Sequence, residues 1–197
     1  QEENTRSALE ALAAAGLTVL VSMPRTLAQG VAHVARLARI FELRTPAARE
    51  HLRAGVAMTE RAATAIAHTA FVPIWADPWM TFNGDTYGSS VLAYAGVGNV
   101  FADRLRLYPL AADLGKAAAA EAHGRDQRYP RVTLDEVAAR QPSLVLFPDE
   151  PHGFSAEERA ALHHLAALAA AARQLVLARR HLLLAAQARL HHQALAL

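Results

Sequence analysis

Apolar residues are arranged along this chain in two ways. Short unbroken blocks of branched and aromatic side chains alternate with longer stretches in which apolar positions recur every three or four residues. The blocks are LTVLVSM (17–23), AFVPIWA (70–76), SLVLFP (143–148) and QLVLA (174–178). They lack strict alternation, as strands buried on both faces do, and helical stretches separate them. The pattern predicts an α/β fold, a mostly parallel sheet with flanking helices.

The helical stretches carry start signals. TLAQ (26–29), TLDE (133–136) and SAEE (155–158) match the capping box, in which a hydroxyl and a carboxylate or amide satisfy free backbone N–H groups. In TPAARE, Thr45 is placed as an N-cap with Pro46 at the first helical position. After Thr26, Leu27, Val31, Val34, Ala38 and Phe41 fall on one helical face. Residues 26–68 therefore read as a long helix followed by a second, a longer insertion between strands than a crossover needs. Residues 1–25 supply a helix and one strand, too little for a core of their own, whereas 69–197 carry three strands with their helices. KAAAAEAHGRD (116–126) reads as a helix or loop excursion.

Composition narrows the class. Of 197 residues, 53% are hydrophobic and 19% charged, the balance of a core-forming chain and not of a disordered one. The net charge is +2 and Lys116 is the only lysine, so basicity is arginine spread along helices; no basic run with interleaved aromatics points to nucleic acid. There is no cysteine, which removes disulfides and thiolate chemistry. The chain opens on QEENTRSALE, without an initiator Met or a signal segment, and reads as a processed or truncated product. The most apolar stretch, 165–190, is broken by Arg173, Arg179, Arg180 and Arg189, so no membrane span is expected.

Candidate chemistry collects past two strand ends. The loop VPIWADPWMTFNGDTYGSS (72–90) holds both tryptophans, Trp75 and Trp79, with Met80, Phe82 and Tyr87; DEPHGF (149–154) brings Glu150, His152 and Phe154. Ligands of open parallel sheets bind at the carboxyl ends of the strands. Flat aromatic faces with a few polar groups suit a large, partly apolar ligand. Trp75 belongs to the strand and reads as packed; for Trp79 and Tyr87, beside Asp77, Asn83 and Asp85, binding and packing stand about even. The ten histidines are scattered or adjacent in pairs, an arrangement that does not converge on one ion, so no protein-built metal site is expected. AGVGN (95–99) follows a helix and reads as a helix end and turn, not a phosphate loop.

The segments WADPWMTFNGDTYGSSVLAYAGVGNVFAD and RYPRVTLDEVAARQPSLVLFPDEPHGF resemble the C-terminal lobe of class III periplasmic substrate-binding proteins. These are the helical-backbone receptors that deliver cobalamin, iron–siderophores or haem to ABC importers. EENTRSALEALAAAGLTVLVSMPRTLAQGVAHVARLARIF is similar to the end of their first lobe running into the connecting helix. The resemblance implies three parts: the incomplete end of a first α/β lobe (1–25), a helical backbone linker (26–68) and a second α/β lobe (69–197). It implies a non-enzymatic receptor in the periplasm, without a cofactor of its own, capturing a cobalamin-like or other metal-chelate ligand for an ABC permease. Trp75, Trp79, Met80, Phe82, Tyr87, Glu150, His152 and Phe154 would then line the second-lobe wall, and Glu2, Glu3 and Glu150 would dock on the transporter. Two other readings stand beside it: a small α/β enzyme using Asp77, Asp85 or Glu150, and a receptor remnant that folds but has lost its cleft.

Overall fold

A computed structural model describes residues 5–60 and 65–162. Helix α1 (Arg6–Ala14) begins at Thr5, whose hydroxyl accepts from the Ala8 N–H at 3.2 Å. Residues 17–25 then run without a sheet partner among the described residues. Helices α2 (Leu27–Ile40) and α3 (Pro46–Glu60) fold back on one another, close enough that a Cβ at Gly55 would meet Val31 at 3.3 Å. Their starts follow the local signals. The Thr26 hydroxyl accepts from Gln29 N–H, the Gln29 side chain accepts from Arg25 N–H at 2.7 Å, and Thr45 accepts from Ala48 N–H at 3.2 Å. Each such cap stabilises its helix by about 1 kcal/mol.

Strands β1 (His68–Phe71), β2 (Val97–Asn99) and β3 (Leu144–Val145) form a parallel sheet in the order β2-β1-β3. Helix α4 (Tyr87–Tyr94) connects β1 to β2; α5 (Leu110–Asp113) and α6 (Leu134–Arg140) lie between β2 and β3. Another helix begins at residue 156, its capping box complete: Glu158 N–H donates to Ser155 Oγ at 3.2 Å and Ser155 N–H to Glu158 Oε2 at 2.7 Å. The fold is therefore α/β, helices flanking a small parallel sheet. Successive residues of β1 face opposite ways. Phe71 joins Phe101, Val132, Val137 and Leu162 in one buried cluster, while Ala70 and Val72 join Phe82 in another. Both faces of the central strand are thus covered, which is why 70–76 reads as an unbroken apolar block.

The strand expectations need correction in detail. Residues 17–23 have strand composition but, among the described residues, no neighbour to pair with, and Leu17, Leu20 and Val21 remain exposed. The block 70–76 leaves the sheet after Phe71: Pro73 has no N–H to give the ladder, and the chain turns into a bridge between Trp75 and Met80. In 143–148 only Leu144–Val145 pair. The expected strand at 174–178 lies outside the described residues. Gly96 does end α4, at φ 75°, but Gly98 sits in β2, where a Cβ would meet Ile66 at 3.2 Å.

One clip bears on acid stability. Arg140 on α6 donates through Nη1 to Val100 O at 2.6 Å and to Asp103 Oδ1 at 2.5 Å, with its guanidinium 4.6 Å above the Phe101 ring. The Arg140 hydrogen bond holds the Asp103 carboxyl below its ordinary value of 3.8. A depressed carboxyl stabilises the fold above its unfolded pKa and loses that contribution as pH falls through the folded one. Melting temperature followed from about pH 5 to about pH 2 should therefore fall less steeply for Asp103→Asn than for the parent chain. The difference should be small because the Asp103 side chain is 77% exposed. Equal slopes would mean that the pair contributes nothing.

Candidate functional site

The turn after the tryptophan loop is fixed by its own polar groups. Asn83 is buried; its Oδ1 accepts from Asp85 N–H at 3.0 Å and its amide donates to Gln127 O at 3.3 Å. Thr86 donates to Asn83 O at 2.8 Å, and its oxygen caps α4 by accepting from Ser89 N–H. Gly84 N–H donates to Ala102 O at 2.9 Å, so close that a Cβ at Gly84 would lie 3.0 Å from that oxygen. Asp85 is left pointing outward. Its Oδ2 accepts from Arg25 Nη1 at 2.7 Å, a bond that ties the N-terminal segment to the sheet unit. Leu27 N–H donates to Ser90 Oγ at 2.9 Å beside it.

A second wall comes from 104–108 and 124–128. Arg106 N–H donates to Gln127 O at 2.9 Å, and the Gln127 amide donates back to Arg106 O at 3.1 Å. The Tyr108 hydroxyl donates to Asp126 O at 2.6 Å, while the guanidiniums of Arg106 and Arg125 lie 4.7 and 4.4 Å from its ring centre. Burial pushes the Asp126 carboxyl up, but the Arg128 side-chain and backbone hydrogen bonds outweigh it and hold the group below its usual range.

These walls enclose a cleft of about 610 Å³, within the usual range for a small-molecule site. Met23 and Arg25 contribute from the N-terminal segment; Asn83, Asp85 and Leu105 face them, with 124–128 closing one side. Three guanidiniums stand against two carboxylates there, so an anionic or zwitterionic ligand meets the better-matched field. Arginine forks also suit planar carboxylate or phenolate groups.

The residues expected from the sequence lie elsewhere. Trp79 stacks on Phe154, ring centres 6.0 Å apart and planes at 6°; Phe147 and His152 meet the Phe154 ring edge-on at 5.2 and 4.7 Å. Trp75 tilts against His152 at 5.1 Å and is 45% exposed. The two strand-end loops therefore do meet, and their rings touch. Phe154 is nevertheless buried, and Trp79 packs against the Phe71 cluster. Phe82 is buried in the second cluster, and Met80 is half-buried between its bridges to Trp75 and Arg131. Tyr87 lies apart, against Gly30 of α2. Glu150 is exposed, and Glu2 and Glu3 fall outside the described residues. The cleft lining draws on none of these. Arg25, Arg125, Asp126 and Arg128 were missed by sequence reading; the only signal was the dense charge of GRDQR (124–128) beside an Ala-rich run.

No family model and no curated protein matches the chain. Among solved structures it is similar to the periplasmic vitamin B12-binding protein BtuF of Vibrio cholerae, with TM-score 0.56 and 17% identity, covering 85% of this chain and 58% of that one. A possible iron-binding (periplasmic solute-binding) protein from Staphylococcus epidermidis matches at TM-score 0.47 and 13% identity, over 74% of this chain and 50% of that one. An ABC transporter substrate-binding protein from Listeria monocytogenes matches at 0.47 and 13%, over 79% and 53%. The chain thus spans 58% of the Vibrio protein, whose fold it shares over that length. Among the described residues no helix is long and apolar enough to cross a membrane.

Proposed function

We propose that this chain is a solute-binding component of an ABC import system and holds a metal-chelate ligand in the cleft between residues 23–25, the turn at 83–85 and the wall at 124–128. The observation that carries this reading is the cleft itself: about 610 Å³, closed by two parts of the chain that Arg25 and Asp85 join, and lined by guanidiniums beside the apolar Met23 and Leu105. The fold shared with a vitamin B12-binding protein supports it. On this reading residues 1–25 and 69–197 stand for two lobes and 26–68 for their linker. The protein works in the periplasm, without catalysis, and Glu150, exposed at the tip of its loop, offers a carboxylate to an arginine of the permease. The ligand sits in the cleft and not on the ring cluster, because Trp79 and Phe154 spend their faces on each other and on the core.

Cyanocobalamin, haemin and a ferric siderophore, each titrated into the protein by calorimetry, test the proposal. One of the three is expected to bind saturably at one site. Arg25→Ala should weaken that binding about tenfold or more, the loss of one charge-assisted hydrogen bond, whereas Asp85→Asn should leave it unchanged or tighten it. Absence of saturable heat from all three with folded protein would overturn the reading, as would equal affinity for Arg25→Ala.

A further inference from the structure

Beside the cleft wall the charges do not balance. Arg104 is matched by Asp113 Oδ1 at 3.2 Å and Glu136 Oε1 at 3.0 Å, and Arg140 is matched by Asp103. Arg106 and Arg131 have no such partner: among the described residues no carboxylate forms a hydrogen bond or ion pair with either guanidinium. The buried Asp113 carboxylate lies within electrostatic reach of Arg131, but its hydrogen bonds go elsewhere. Its Oδ1 also accepts from Leu107 N–H at 2.9 Å, and its Oδ2 accepts from the Arg131 backbone N–H at 2.7 Å.

The two guanidiniums also hide donors. Arg106 Nε, Arg131 Nε and Arg131 Nη1 are shielded from solvent and meet no protein acceptor among the described residues. A shielded N–H of a charged group without an acceptor loses its hydration with nothing in return, so such groups are rare in folded proteins. Desolvation, and then the charge of Arg106, push Arg131 below its ordinary value, which marks the two as neighbours of like charge. Arg106 lies on the Tyr108 ring, and Tyr108 is also within electrostatic reach of Arg131. Leu105 lines the cleft, whereas Arg106 is not part of its lining.

We propose that Arg106 and Arg131 together bind a small oxyanion, a phosphate-type or carboxylate group, behind the cleft wall that Leu105 and Gln127 form. Such a group supplies acceptors for all three hidden N–H donors and offsets both positive charges at once. Water could supply the acceptors, but it adds no negative charge where Asp113, already paired with Arg104, is the carboxylate within reach of Arg131. The site is separate from the cleft and stands whether or not the cleft takes a chelate.

Thermal unfolding of the full chain in Tris chloride tests this, with sodium phosphate or sodium acetate added against sodium chloride at equal ionic strength. The melting temperature is expected to rise saturably with one of the two oxyanions, by about 3–6 °C at ten times its dissociation constant. The rise should vanish in Arg106→Gln and in Arg131→Gln but persist in Arg6→Gln, which alters an exposed arginine. In chloride alone Arg131→Gln should melt no lower than the parent, because removing one charge relieves the repulsion. A response to acetate at lower concentration assigns a carboxylate; one to phosphate assigns a tetrahedral ion. A rise equalled by chloride, or one kept in both Arg→Gln variants, would show an adventitious ion only and overturn the proposal. Should the variants fail to fold, calorimetry of the parent with phosphate and with acetate decides: one-site saturable heat supports the site, and its absence from both removes it.

Discussion

Replacing Phe101 by alanine is expected to cost about 3–5 kcal/mol of unfolding free energy, read as a lower urea midpoint at unchanged slope. The ring is fully buried, meets Phe71 edge-on at 5.5 Å, and carries the Arg140 guanidinium on its face. Its removal leaves a void that Val132, Val137 and Leu162 border, and they belong to different elements that cannot all close inward together. The Arg140 clip to Val100 and Asp103 loses its platform at the same time. A cost below about 1 kcal/mol would mean that the cluster repacks freely and is not the core of this fold.

Asp113→Ala is expected to be as damaging, about 3–5 kcal/mol, for a different reason. The carboxylate is inaccessible, and one deletion strips acceptors from Arg104 Nη1, Leu107 N–H and Arg131 N–H. What is lost is less the attraction of one pair than the balance of a part-buried arginine, which the remaining Glu136 contact only half restores. Asp113→Asn keeps one acceptor oxygen and should be milder. The ordering Ala worse than Asn, seen in thermal or urea unfolding, checks the argument; equal effects would assign the cost to shape alone. Asp113 holds the segment 104–107, of which Leu105 lines the cleft, so its loss should also loosen whatever the cleft binds.

How much of this was legible depends on how local each cause is. The starts at Thr26, Thr45, Thr133 and Ser155 were readable because a cap is decided within four residues. Strand blocks 70–76 and 143–148 were readable as buried sheet, though not their ends, because pairing is decided by what lies alongside. The segment 17–23 shows the limit most plainly: its side chains favour a strand, but a strand exists only with a partner. Residues 97–99 show the converse, a strand concealed by two glycines, one ending a helix and the other needed beside Ile66.

For the candidate site the same division holds. That the rings of 72–82 and 149–154 meet followed from the order of strands; that Trp79 and Phe154 turn inward did not, since a large ring in a polar loop carries no mark of its facing. The cleft went unread because Arg25 and Asp85 are sixty positions apart and become partners only once the chain is folded. Its far wall lies in an Ala-rich excursion whose periodicity predicts nothing.

The central place of β1 has a consequence for a chain still being made. Its neighbours β2 and β3 both come later in the sequence, and the Thr69–Ser143 clasp, in which each residue's backbone and hydroxyl serve the other, closes only when the second of them arrives. During synthesis β1 therefore emerges with both flanks bare and waits. The helical hairpin of α2 and α3 can assemble at once from close-range contacts, so the nascent chain should show early helix and late sheet.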